Sequence, residues 1–193
     1  MWVALLPAAY LLGTFPSAAL VARANGIDIT AVGSGNPGAS NITRALGWRK
    51  GVWVFVLDAL KGAVAAGLGV AVDGRPAGYW LGAAAIVGHV FPITRGLRGG
   101  KGVATGGGVM AVLHPLVAVA LIVIWIAVSR LTSKASIASI VVVALLPVGV
   151  ALTGTSAWEV AATIGLCVLV MARHLGNIKR LVAREEPELS SSS

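Results

Sequence analysis

The chain has one cysteine, three histidines and seven acidic residues in 193 positions. A lone cysteine, Cys167, excludes an intrachain disulfide framework. The scattered histidines add no zinc-ligand spacing, so no metal is expected. Charged residues make up 11 % of the chain, against roughly 25 % in soluble domains, which is too few to cover a water-facing surface. No fixed-period repeat is present, which argues against an inverted-repeat transporter. What the chain has instead is 57 % hydrophobic residues and 25 glycines. These proportions exclude a soluble globular enzyme, a disordered chain and a disulfide scaffold. They leave an all-α, polytopic membrane protein.

The net charge of +8, from 15 Lys and Arg against 7 Asp and Glu, is read here as membrane orientation and attraction to anionic headgroups or substrates. It is not read as nucleic-acid binding. Apolar runs cover 2–22, 52–72, 79–93, 103–113, 116–129, 136–152 and 158–172. The first is not a signal peptide, since no cation precedes it and Arg23 follows it. About seven transmembrane helices are expected, two of them short, with the N-terminus outside and the C-terminus cytoplasmic. The run 103–113 could equally be a re-entrant half-helix. In the seven-span arrangement every cation except Arg75 and Lys61 lies in segments 23–51, 94–102, 130–135 and 173–193, on one side of the membrane. Ser156 and Glu159 have capping-box spacing at the start of the last span. Residues 185–193 form a polar tail that composition predicts to be disordered.

Chemistry concentrates on the cation-rich side. Gly33-Ser34-Gly35-Asn36-Pro37-Gly38-Ala39-Ser40-Asn41-Ile42-Thr43-Arg44 has glycines able to turn backbone N–H groups toward an anion. No strand precedes it, which excludes a dinucleotide fold. Arg95-Gly96-Leu97-Arg98-Gly99-Gly100-Lys101-Gly102 leads into an apolar helix containing Thr105. Backbone donors, a helix N-terminus and a lysine together suit a phosphate. The segment departs from a Walker A loop at Arg95 and Gly102, so no nucleotide is implied. Ser139 follows a short basic turn, where the neighbouring Ser133 and Ser136 suit either caps or ligands. His174 and Asn177 share a face at i, i+3. Asp58 and Lys61, within the second span, form either a neutral structural pair or a substrate contact. His89 and His114 are read mainly as structural or interfacial. No histidine has an aspartate five residues on, GxSxG is missing, and no aspartate-rich motif suits a metal-dependent phosphotransferase. The ligand is therefore expected to be phosphorylated and held without metal.

GSGNPGASNITRALG at 33–47, LDALKG at 57–62, GHVFP and RGGKGVAT within 88–105, SIAS at 136–139 and RHLGNIKRL at 173–181 together resemble the PlsY family of bacterial membrane acyl-phosphate:glycerol-3-phosphate acyltransferases. The resemblance runs over nearly the whole chain. It implies one transmembrane catalytic domain over 1–184 in the bacterial cytoplasmic (inner) membrane, with its active site on the cytoplasmic side. The implied reaction moves a fatty acyl group from acyl-phosphate to the 1-hydroxyl of glycerol 3-phosphate, giving lysophosphatidic acid and inorganic phosphate. Neither a cofactor nor an obligatory protein partner is implied. By the same resemblance Ser34 and Arg44 contact the phosphates, with Gly35, Asn36 and Asn41 in support. Gly99, Gly100, Lys101 and Gly102 form the phosphate loop near Thr105, and Ser139, His174 and Asn177 complete the pocket. Ser34 as a covalent nucleophile would lack an adjacent base. The last motif commonly carries an acid where this chain has Gly176, a role that Glu185 or Glu186 could supply. The alternative from composition alone is a small transporter of organic phosphate anions.

Overall fold

Prolines and glycines cut the apolar runs into pieces whose ends need partners. The computed structural model describes residues 1–189, and every regular element among them is helical. They group into two compact units, residues 1–113 and the residues from His114 onward.

In the first unit the run 2–22 is not one helix. A short 3-10 turn, Trp2–Leu5, leads into α1 (Leu6–Gly13), and α2 (Ser17–Arg23) follows a break at Thr14–Pro16. Pro16 has no N–H to continue the ladder, so carbonyls at the break need donors from elsewhere. Lys61 Nζ donates to Phe15 O at 3.2 Å and Arg95 Nη2 to Thr14 O at 3.4 Å. The amphipathic α3 (Ala39–Leu46) precedes α4 (Trp48–Val90).

The backbone of α4 is non-helical at Asp73 and Gly74, which divides it into limbs 48–72 and 75–90. A Cβ on Gly69 would lie 2.4 Å from Ala77 O, and one on Gly78 would lie 3.2 Å from Ala66 O. The limbs therefore fold back on each other with backbones in near contact, as small residues permit in membranes.

The run 103–113 forms α5 (Val103–Leu113). At 1.5 Å per residue it is about 16 Å long, too short to cross ~30 Å of hydrocarbon. It survives because protein surrounds it. Gly108 is pressed on Ala59 of the first α4 limb, and Val109 on Gly82 of the second. Arg75 Nη1 donates to Leu113 O at 2.8 Å, closing the C-terminus of α5.

The second unit contains α6 (Pro115–Thr132), α7 (Ala135–Leu152), α8 (Ala157–Ala172) and α9 (Leu175–Val182). Val117 on α6 packs against Gly149 on α7. His114 Nε2 lies 3.3 Å from Glu159 Oε2, linking the start of α6 to the first turn of α8. The Ser156 hydroxyl donates to Glu159 Oε1 at 3.3 Å. It does not bond a backbone N–H as a capping box would require, because the carboxylate lies within its reach. Cys167 is buried in α8.

Among the described residues, four stretches are long and apolar enough to cross a membrane. They are Trp2–Arg23, Trp48–Arg95, Pro115–Thr132 and Ala135–Leu152, with a fifth if α8 and α9, bent by 54°, are one span.

Candidate active site

The first loop is braced by Asn41, which is 1 % exposed. Its Nδ2 donates to Ile29 O at 3.2 Å and Val32 O at 2.9 Å, and its Oδ1 accepts from Ser34 N at 3.0 Å. Both amide hydrogens and the oxygen are thus engaged within the protein. Asn41 thereby braces the turn that carries Ser34, in which Gly33 and Gly35 take positive φ. The half-buried Ser34 carries its hydroxyl in this turn, where Oγ accepts from Asn36 N at 3.4 Å. No imidazole or carboxylate is bonded to that hydroxyl among the described residues. Asp28, the one acid near this loop, accepts from Thr30 N and Oγ1. Those bonds, with Arg23 nearby, hold its carboxyl below the ordinary range. Arg44 sits half-buried on the second turn of α3.

The second loop explains its own glycines. Gly99 N donates to Val90 O and Gly100 N to His89 O, each at 3.1 Å. A Cβ on Gly99 would lie 2.0 Å from His89 O, and one on Gly100 would lie 2.2 Å from His89 Nε2. The N–H groups of Gly99 and Gly100, expected to face an anion, are spent on the end of α4. These two residues act by close approach, laying the loop across His89 so that Lys101 arrives next to the first turn of α5. Gly102, at φ +92, makes the final turn. Thr105 is fully buried, and a Cβ on Gly62 would lie 2.1 Å from its carbonyl.

Both loops hang from one face of the first α4 limb. Thr43, beside Arg44, packs on Gly51, and Thr105 packs on Gly62. Positions 51 and 62 are about three turns and some 16 Å apart along one side of the helix.

Between them, on the same stripe, lies the pair Asp58 and Lys61. Their side chains are 2.8 Å apart and 3–4 % exposed. Ser17 Oγ donates to Asp58 Oδ1 at 2.9 Å, and His89 Nδ1 stands 3.7 Å from the same oxygen. Lys61 also donates to Phe15 O. The contact to Phe15 O gives this pair a structural task, closing the break in the first apolar run.

In the second unit Ser139 Oγ accepts from Trp125 Nε1 at 3.1 Å, joining α7 to α6. His174 is 1 % exposed, and its Nδ1 lies 2.8 Å from Val170 O. A carbonyl only accepts, so Nδ1 carries the hydrogen and the neutral ring has its lone pair on Nε2. Asn177 Nδ2 donates to Glu186 Oε1 at 2.7 Å, and Arg180 Nε to Glu186 Oε2 at 2.8 Å.

Glu186 belongs to the tail predicted to be disordered, yet it is 4 % exposed. The remainder of that tail, 190–193, lies outside the described residues. Burial pushes the Glu186 carboxyl up. The donors Asn177, Ser136 and Arg180, with the charge of Arg180, outweigh that and hold it below its ordinary 4.5. A carboxyl lowered by folding stabilises above its unfolded pKa and loses that contribution as pH falls through the folded value. Proteolysis of the tail in lipid is therefore expected to be constant at pH values above 4.5 and to accelerate below it. An equal rate at acidic and neutral pH would contradict the contact.

His89, read from sequence as structural or interfacial, buttresses the glycine loop. Sequence reasoning missed two contributors. Tyr10 donates its hydroxyl to Phe91 O at 2.7 Å and accepts from Ile93 N at 3.0 Å. Ser17 holds Asp58.

A profile of the family described as Glycerol-3-phosphate acyltransferase matches residues 3–184. The chain belongs to this family. It is 39 % identical over 196 residues to the glycerol-3-phosphate acyltransferase of Thioalkalivibrio sulfidiphilus, covering 98 % of this chain and 95 % of that protein. Two crystal structures of PlsY, an integral membrane glycerol 3-phosphate acyltransferase, are 35 % identical to it. Each covers 97 % of this chain, and 94 % of each crystallised chain is covered. The glycerol 3-phosphate form superposes with a TM-score of 0.92 and the lysophosphatidic acid form with 0.90. This glycerol-3-phosphate acyltransferase family member is accordingly an all-helical, multi-pass membrane acyltransferase.

Proposed function

We propose that the chain transfers a fatty acyl group from acyl-phosphate to the 1-hydroxyl of glycerol 3-phosphate, in the bacterial cytoplasmic membrane, with the loops on the cytoplasmic side and the N-terminus outside. The observation that carries this reading is the full-length likeness to PlsY in its glycerol 3-phosphate and lysophosphatidic acid forms. The distribution of cations supports the orientation. Both substrates bear phosphate, and Arg44 and Lys101 supply full positive charges on loops braced from behind.

The glycerol hydroxyl attacks the acyl carbonyl, a new C–O ester bond forms, and the carbonyl-to-phosphate C–O bond breaks. The departing phosphate carries away the electron pair and accepts the hydroxyl proton, leaving as inorganic phosphate. Acyl-phosphate is already activated, so the protein contributes orientation and charge stabilisation. Lys101, with the N–H groups opening α5, stabilises the leaving phosphate, and Arg44 and Ser34 hold a substrate phosphate. A covalent role for Ser34 receives no support, because no base is bonded to it among the described residues.

His174 Nε2 is the competing proton acceptor. If the phosphate takes the proton, His174→Ala lowers the rate but leaves the acidic limb of the pH–rate profile in place. Loss of that limb would assign the base to His174. The reaction itself is tested by offering purified protein palmitoyl phosphate or palmitoyl-coenzyme A with glycerol 3-phosphate. Lysophosphatidic acid is expected from the first donor only, and product from the thioester alone would overturn the assignment.

A further inference from the structure

The loop that carries Lys101 is held at both ends. At its far end Gly99 N and Gly100 N donate to the closing carbonyls of α4. At its start Arg95 N and Leu97 N both donate to Pro92 O, at 3.0 and 2.9 Å, and Arg98 N donates to Arg95 O at 3.1 Å. The exposed tip between them enters the left-handed region at Gly96 (φ +57) and again at Leu97 (φ +64), whose side chain disfavours it. Such a turn keeps its shape only while its surroundings fix it.

The C-terminal end of α1 supplies the fixing groups at the start. Tyr10 holds Phe91 O and Ile93 N. One turn further on, Thr14 O accepts from Arg95 Nη2 at 3.4 Å. The Arg95 side chain is half-buried, and its Nε is shielded from solvent with no hydrogen-bond partner among the described residues. Asp58 attracts the guanidinium and Lys61 repels it, but Asp58 is already bonded by Ser17 and Lys61. The contact to Thr14 O is therefore what directs Arg95 away from the loop and onto the first apolar run.

We propose that Arg95 is a positioning residue for Lys101. Anchored on the end of α1, it holds the start of the loop, keeps the left-handed tip in shape, and so preserves the place at which Lys101 arrives. This rests on the reading that Lys101 stabilises the departing phosphate.

The test is a double-mutant cycle on full-length protein in lipid, with palmitoyl phosphate and glycerol 3-phosphate as substrates. Losing the hydrogen bond of a charged donor predicts a drop in kcat of roughly 10-fold for Arg95→Leu. Arg95→Lys keeps a cationic donor on a long stem and is expected to retain most of the rate. In a Lys101→Ala background Arg95→Leu is expected to cost little more, because the loop then has no cation to place. Trypsin reads the anchor without turnover: cleavage after Arg98 is expected to be several-fold faster in Arg95→Leu than in the wild type. A wild-type kcat in Arg95→Leu, losses that multiply independently in the double variant, or equal cleavage rates would overturn the proposal. Should Arg95→Leu fail to fold, the milder loss in Arg95→Lys is expected to vanish in the Lys101→Ala background, and its persistence there would overturn the proposal. Lack of turnover by the wild type is a different result: it would overturn the reaction itself and leave the cleavage comparison to judge the anchor.

Discussion

Alanine in place of Lys101 or Arg44 is expected to lower acyl transfer by about 100- to 1,000-fold, the scale for removing a group that stabilises developing charge. The protein should still insert and fold. Neither cation belongs to the buried core: Arg44 lies half-buried on a short amphipathic helix, and Lys101 ends a loop already fixed by Gly99, Gly100 and His89. The two variants should differ in kind. Lys101 is assigned to the departing phosphate, so its loss falls mainly on kcat. Arg44 is assigned to a phosphate held throughout, so its loss also raises KM. Initial rates over a range of glycerol 3-phosphate concentrations, with size-exclusion profiles as the folding control, separate the cases. Near-normal rates from either variant would remove that residue from the site.

The largest stability effect is expected at Lys61. Lys61→Met strands Asp58 as a buried carboxylate, and breaking such a pair costs about 3–5 kcal/mol. It also removes a donor from Phe15 O at the break between α1 and α2. Pairing it with Asp58→Asn should recover much of the loss, because the remaining partners are then neutral. Melting in detergent with and without the second substitution measures this directly. If Lys61→Met melted like the wild type and lost only activity, the pair would be touching substrate instead.

Much of the helical layout was legible because membrane helices announce themselves by length and polarity. The run 103–113 appears as α5 with those ends, and 136–152 begins one residue late against α7. The break at Thr14–Pro16 was not legible. Its carbonyls are satisfied by Lys61 and Arg95, 46 and 81 positions away along the chain, and no local pattern carries that distance.

The same limit governs the site. Asn41 and Ser139 have side chains suited to a ligand or to a brace, and residue type does not choose between them. The partners that hold them, Ile29, Val32 and Ser34 for one and Trp125 for the other, lie on other segments and are invisible in the local pattern. The glycines around Lys101 were readable as a special backbone, but as a cradle of donors. The imidazole of His89, packed beneath them, turns that requirement into one of clearance. Glu186 was hidden by its surroundings, since a polar tail reads as solvated until a buried donor pair is found beneath it.

The most direct measurement follows inorganic phosphate and lysophosphatidic acid together in one reaction of the purified protein in lipid, with palmitoyl phosphate and glycerol 3-phosphate as the only substrates. Equal amounts of the two products are expected from the first turnovers onward, with no added metal or cofactor. Phosphate released without lysophosphatidic acid, or neither product from well-folded protein, would contradict the proposed transfer.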